Sequence, residues 1–450
     1  MFDFETDTIK TWAGKGSIAI IDQAFSSGSN FLVSVLLARW SSPKEYGAFA
    51  LAFALFLLLS QLQQSVLLEP MSIFGASYTG ARLKRYYGSL LHMQNGMFVA
   101  ITVMLALSAM FVQRFQHWQQ LSGALWGVTL ASPFVMLLWM ARRAFYLEHV
   151  PSPAAAGAVV YTGATLGGLI VVRHLGSLTS FSAFVVIGAA AFVTSLAMFW
   201  RLRPEFRRES GDPGFHQECK EHWRYGSWAL AGAVAMWLPQ NVYYAVLTGA
   251  DGMAAAGEVR ALLNLALPLQ RFTVAFGLLL LPFAARVYSE HGRRGARDFT
   301  VKICILFFAG CIAYWGVTLL FGGQIFQMLY AGKYSSLTHL LPWLAVSSTL
   351  NALEAAIVIG LRAMRSPASV FYAYGISGLV NVIVGVPATW WWGVNGVLFS
   401  FILANVTAVI ASLAMMRRDD ENDSENIATK DCLLASEARA FHPFRDVQAS

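Results

Sequence analysis

The chain has 450 residues and a formal net charge of +7, with 56% hydrophobic and only 13% charged residues. Soluble domains carry roughly 25% charged residues, so an ordinary water-soluble fold is excluded. The mean hydropathy is +0.53, and the apolar runs recur at about 20 residues, the length that spans a bilayer. The class is an all-α membrane protein.

Taken in chain order, the runs predict spans near 17–38, 46–68, 88–111, 122–141, 154–172 and 180–200. A second set follows near 226–247, 254–285, 299–321, 337–361, 368–389 and 394–416, about twelve in all. The first run lacks a small-residue cleavage site and carries Asp22, so it reads as a retained helix rather than a signal peptide. Threading the chain from the cytoplasm puts 25 of the 32 lysines and arginines on inner segments and 5 on outer ones. That asymmetry orients membrane proteins, and it predicts two cytoplasmic termini. The positive charge is then a matter of topology, and nucleic acid is not required as a partner.

The halves look duplicated. Gly16–Ser17 recurs as Gly226–Ser227, and Gly47 recurs as Gly257, each at an offset of 210. Six helices per half make both halves start in the cytoplasm, so the repeat is parallel, about an axis along the membrane normal. The expected division is an N-lobe over 1–200, a linker over 201–225, a C-lobe over 226–416 and an unstructured polar tail over 417–450.

Polar residues inside spans face protein or water rather than lipid. Asp22, Ser26, Ser29 and Asn30 share a face of the first span. Gln61 and Gln64 lie three apart in the second, with Glu69 near its inner end. Gln240 and Asn241 interrupt the seventh, and Ser347, Asn351 and Glu354 form a stripe in the tenth. The eighth carries Arg260, Asn264 and Arg271 on one stripe, with Pro268 and Pro282 to loosen it. Each arginine costs about 2.5–3.5 kcal/mol at a bilayer centre, which calls for an anionic partner. Other readings stay open: helix packing for the serines and Asn264, snorkelling for Arg260, a solvated inner boundary for Asp22 and Glu69, and a buried pair between Arg271 and Glu354. Trp390, Trp391 and Trp392 fit an interfacial aromatic belt. Cys304 and Cys311 share a helix face and read as packing residues, while Cys219 and Cys432 fall in inner segments.

The stretches "DQAFSSGSNFLVSVLLARWSSPKEYGAFALAFALFLLL" (22–59), "LLEPMSIFGA" (67–76) and "LYAGKYSS" (329–336) resemble bacterial polysaccharide-biosynthesis flippases of the O-antigen translocase type. These belong to the multidrug/oligosaccharidyl-lipid/polysaccharide exporter superfamily, and the resemblance extends over residues 12 to 416. It implies a MATE-like fold of two six-helix lobes in the bacterial inner membrane, and a polyprenyl-diphosphate-linked oligosaccharide as substrate. It also implies alternating access coupled to an ion gradient, with no cofactor beyond a coupling proton or sodium ion. Arginine suits a diphosphate through bidentate, weakly hydrated contacts. The substrate-binding set expected on this reading is Arg260, Arg271, Asn264, Gln240, Asn241, Gln61 and Gln64. The coupling or gating set is Glu354, Asp22, Glu69 and Asn351. Membrane lipids and a polysaccharide polymerase are the expected partners.

The competing readings are a lipid-linked peptidoglycan precursor flippase and a multidrug cation antiporter of the same superfamily. The arginine stripe speaks against a cationic substrate. An enzyme is not expected: the outer loops are short and hold neither a carboxylate pair nor a histidine cluster for acid–base chemistry. There is also no GxxxxGK[ST] loop for nucleotide phosphates.

Overall fold

The computed structural model describes the backbone of residues 6–176, 178–207, 214–364 and 366–440. Side chains of 6–21, 26, 117, 235–236, 238–240, 278, 367 and 419–440 lie outside the description. The described residues are mostly helical, joined by short turns and links, with no strand among them. Helix α1 spans Thr6–Trp40, α2 Pro43–Gln63, α3 Glu69–Phe74, α4 Gly80–Gln113, α5 Gln119–Leu147, α6 Ser152–His174 and α7 Ser180–Leu202. Then come α8 (Phe215–Ala250), α9 (Met253–Leu320), α10 (Gly322–Tyr330), α11 (Leu341–Ala363), α12 (Pro367–Val380) and α13 (Val386–Ala440). Helix α9 breaks at Gly292 and α13 at Gly393, both glycines with positive φ. Counting those breaks, and with α2 running into α3 and α12 into α13, the described residues form twelve long helical stretches. Eight helical segments are long and apolar enough to cross a membrane. Helix α13 carries the backbone of the polar tail through Ala440, where no fixed structure was expected, and residues 441–450 lie outside the description.

Local chemistry sets the boundaries. Ser42 caps α2 by accepting from the Glu45 amide at 3.2 Å, and Pro43 occupies the first turn, where its missing N–H costs nothing. Glu45 then reaches α7. Its carboxylate accepts from the Ser180 amide at 2.7 Å and the Ser180 hydroxyl at 2.6 Å, satisfying orphan donors at that helix's start.

Between α2 and α3, residues Gln64–Leu68 widen into a π-turn just before Pro70. Proline cannot donate to the carbonyl four residues back, which is that of Val66. His222 of α8 takes that place: its Nδ1 lies 2.9 Å from the Val66 oxygen. With Nδ1 donating, Nε2 accepts from the Tyr86 hydroxyl at 2.8 Å. Gly226, one turn on, lets α8 touch the π-turn; a Cβ there would sit 2.5 Å from the Val66 Cα.

The contacts divide the chain into two compact units. The first comprises 1–265, 321–340 and 386–397; the second comprises 266–320, 341–385 and 398–450. Within the first unit, the start of α2 meets the start of α9 backbone to backbone. A Cβ on Gly47 would fall 1.7 Å from the Met253 carbonyl oxygen. A Cβ on Gly257 would fall 2.8 Å from the Pro43 oxygen and 3.0 Å from the Gly47 nitrogen. Positions 43 and 253, like 47 and 257, differ by 210. Position i touches the equivalent of j while j touches the equivalent of i, the signature of a two-fold relation. The second unit has its own core, where Ile357, Val358, Leu361 and Met364 of the α11 region pack with Ala296, Val370 and Met416.

Candidate functional site

The site is built at the start of α9, where it lies beside α1 and α2. Asn264 is 1% exposed. Its amide nitrogen donates to the Tyr46 hydroxyl at 2.9 Å and the Ser34 oxygen at 3.1 Å. Ser34 lies 2.7 Å from the Tyr46 hydroxyl, closing a three-member polar cluster. Asn264, expected to bind substrate, is thus engaged in joining three helices.

The "LYAGKYSS" stretch wraps the same corner. Ala331 and Gly332 turn the chain through left-handed conformations. Tyr330 donates to the Ala261 carbonyl at 3.0 Å, and the Tyr334 ring packs 6.3 Å from that of Tyr46. Lys333 donates to the carbonyls of Arg39 and Ser41, each at 2.7 Å. Those oxygens lie at the end of α1, where carbonyls lack helical partners and a cation is favoured. Arg39 in turn donates to the Met328 carbonyl. A motif distant in sequence thereby staples α1, α2 and α9 together.

Arg260, one turn before Asn264, is half-buried. Its guanidinium carbon lies 5.8 Å from the centre of the Phe53 ring, within cation–π reach. Its electrostatic neighbours are Tyr244, Tyr46 and Tyr243. No ion pair joins it to a carboxylate among the described residues, and its Nε is buried without an acceptor. It lines a cavity of about 100 Å³ inside the first unit. The walls come from Val33 of α1, Phe49, Phe53 and Phe56 of α2, Trp139 of α5 and Phe184 of α7, among others.

A second guanidinium lines that cavity. Arg142 of α5 pairs with Asp22 of α1 at 2.7 Å, and Tyr146 donates to the same carboxylate oxygen at 2.5 Å. Asp22 is 1% exposed, so it is a buried counter-ion rather than a solvated boundary residue. Its other oxygen, and the Nε of Arg142, lack partners. The basic-residue count places Arg142 among the inner-segment arginines. Its spacing to Tyr146, one helical turn, was the available signal for a face shared with Asp22.

The remaining expected residues have these surroundings. In α2 the fully buried amide is Gln63, which donates to Gln94 at 3.0 Å and to the Met136 carbonyl at 2.8 Å, while Gln61 and Gln64 are half-buried. The π-turn starting at Gln64 changes which residues face inward, which a 3.6-residue period cannot anticipate. Glu69 is exposed and accepts from Tyr225 at 2.8 Å. Asn241 donates to the Trp237 carbonyl of its own helix at 3.1 Å. The side chains of Gln240 and Ser26 lie outside the described residues.

Arg271 is exposed and belongs to the second unit. That unit also holds Glu354, 3% exposed, which is hydrogen-bonded by Tyr374 and faces the charge of Arg362. One Glu354 oxygen has no partner. Ser347, on the same stripe, accepts from Asn405 at 3.1 Å, and Asn351 is half-buried. Among the described residues no group of three His, Cys, Asp or Glu side chains could hold a metal ion.

No family model and no curated protein matches the chain. Solved structures do. A multidrug resistance MATE family transporter of the MOP superfamily, inward-facing, aligns with TM-score 0.73 and 14% identity over 90% of this chain and 99% of its own. The lipid II flippase MurJ, in an inward closed conformation, aligns with TM-score 0.70 and 13% identity over 89% of this chain and 87% of its own. A MOP superfamily transporter from Pyrococcus furiosus, reported with a binding pocket of reverse polarity that suggests a different function, aligns with TM-score 0.58 and 14% identity over 91% and 95%. The chain therefore has the MATE-like fold shared by these transporters.

Proposed function

We propose that the chain is a flippase that moves a polyprenyl-diphosphate-linked oligosaccharide from the inner to the outer leaflet of a bacterial inner membrane. The observation that carries this reading is Arg260, a guanidinium on a cavity wall with tyrosines for neighbours and no carboxylate paired to it. Partial burial of a cation without a counter-ion is costly, and an anionic substrate offsets that cost. Arg142 adds a second positive group on the same cavity. A pump for organic cations would want the opposite charge there. The solved proteins of the same fold include both a multidrug transporter and a lipid II flippase. The flippase chemistry, a lipid-linked anion, suits this cavity.

In this proposal the termini are cytoplasmic and the chain acts by alternating access, driven by protons or sodium. Asp22 is the leading coupling group, because neutralising it would leave Arg142 unpaired and change the charge facing the cavity. Glu354, with its orphaned oxygen, is the second. The export route implies a polysaccharide polymerase downstream.

The test is reconstitution in vesicles carrying a fluorescent polyprenyl-diphosphate oligosaccharide, a lipid-linked peptidoglycan precursor, or an organic dye cation. Flipping of the oligosaccharide lipid, abolished by Arg260→Ala and partly restored by Arg260→Lys, supports the proposal. Preference for the peptidoglycan precursor, or dye extrusion that survives Arg260→Ala, overturns it.

A further inference from the structure

On the orientation proposed above, the outer side holds five basic residues: Arg39, Lys44, Arg114, Arg173 and Lys333. Three of them converge on one corner. Helices α1 and α6 pack side by side, with Thr162 of α6 donating to the Phe25 carbonyl of α1 at 3.4 Å, and both end on that side. Arg39 lies in the last turn of α1 and Arg173 in the last turn of α6. Lys333 reaches the same place from the loop after α10, its Nζ 2.7 Å from the Arg39 carbonyl oxygen. Burial, then the positive charge of Arg173, hold Lys333 below its ordinary pKa, so these two cations lie within electrostatic reach. Among the described residues none of the three is ion-paired with a carboxylate. Glu45 of the neighbouring α2 is committed to Ser180. A helix end favours each cation singly, but it does not relieve their mutual repulsion.

All three side chains are exposed. An ammonium has three donors and a guanidinium five. Lys333 gives two to the carbonyls of Arg39 and Ser41, and Arg39 gives one to that of Met328, so donors remain on both. Apolar side chains stay exposed on either side, Met328 on α10 and Leu175 just past α6. We infer that this corner binds an anionic phospholipid, its phosphate shared by Arg39, Arg173 and Lys333 and its chains lying along the flanking apolar side chains. The headgroup is one without an ammonium, such as a glycerol ester, because a zwitterionic one would bring a further cation to a place without a carboxylate. The lipid ties α1 and α6 to the loop that staples α1, α2 and α9. The inference needs neither the cavity nor the flippase reading, and the orientation decides only which leaflet supplies the lipid.

Photolabelling of the full-length protein in phosphatidylcholine vesicles tests it, with phosphatidylglycerol carrying a photoreactive headgroup as the probe. Label should fall on the peptides around Arg173 and around residues 328–333. Arg173→Gln should weaken labelling there about fivefold, the fold-change for one cation near an anionic lipid surface. Arg173→Lys should keep most of it. Arg173→Glu, which offers Lys333 a carboxylate, should abolish it. Arg114→Gln removes an exposed outer charge at the end of α4 and should leave the labelling unchanged. Salt at 1 M, which screens charges beyond about 3 Å, should reduce it in wild type. Label on the basic inner segments, equal in all variants, shows that each variant is folded alike. Equal labelling by a phosphatidylcholine probe, equal labelling of wild type and Arg173→Gln, or an equal loss in Arg114→Gln overturns the site. Displacement by geranyl phosphate more readily than by unlabelled phosphatidylglycerol overturns the assignment to a phospholipid.

Discussion

Arg260 and Arg271 lie on one helix and one predicted stripe, yet their surroundings have little in common. The first sits among tyrosines on a cavity wall, in a segment packed against α1 and α2. The second is exposed, in a unit that begins one residue after Leu265 and two before Pro268. Helical spacing identifies a shared face. It does not identify what that face meets, because a long helix passes from one packing environment to another along its length.

The sharpest way to break this contrast is to truncate both arginines. Arg260→Ala should lower export by about 30-fold to several thousandfold, the equivalent of the roughly 2–5 kcal/mol of a lost desolvated charge contact. Arg271→Ala should lower it by no more than about fivefold, as exposed charges contribute about 1 kcal/mol or less. Export rates normalised to protein level decide it, and an equal or larger loss at Arg271 would invert the contrast.

The glycines of the same helix offer a second comparison. Gly257→Ala forces a methyl group against the Pro43 and Gly47 backbone, and overpacking of that kind costs about 1–3 kcal/mol. A methyl on Gly277 would meet Ile359 at an ordinary 3.6 Å. Gly277→Ala should therefore be neutral or raise stability by up to about 1 kcal/mol through helix propensity. Thermal unfolding in detergent reads both, and a stable Gly257→Ala would show that the α2–α9 contact yields easily.

The smallest effect expected concerns the first turns of α8. Burial lowers the pKa of His222 below its ordinary 6.5, against smaller raising effects from the Val66 carbonyl and Glu221. A lowered folded pKa contributes stability that is present above the ordinary value and is lost as pH falls through the folded one. Unfolding at pH 7.5 and pH 5 should show wild type losing more stability than His222→Gln. Equal losses would mean the ring protonates in place, with Tyr86 reversing its hydrogen bond.

The helices and their number were readable because apolar runs of spanning length have few alternative fates in a chain this hydrophobic. Arg260 was readable because a cation in such a run demands explanation. Its partners were not. Tyr46 and Phe53 look like any aromatic residues of an apolar helix, and Ser34 like any small packing residue. Arg142 was hidden by its place in a run of inner-segment arginines. Gln63 was hidden by the π-turn, which breaks the period on which face assignment depends. Residues whose role comes from a contact far along the chain, such as Lys333 on the end of α1, leave no local periodicity to detect.

On the proposal that the two halves are duplicates, the reciprocal approach of Gly47 and Gly257 bears on how such a chain arises. In a half-length ancestor acting as a pair, this contact would have been one sequence position meeting its own copy, so every substitution there would have struck twice. Fusion of the halves lifts that constraint, and each side becomes free to diverge. Yet at this spot the obstacle to a larger residue is the opposing main chain, which no change of side chain on the other half can remove. Divergence after fusion can therefore reshape the cavity walls, while the point where the two main chains meet stays bound to glycine on both sides.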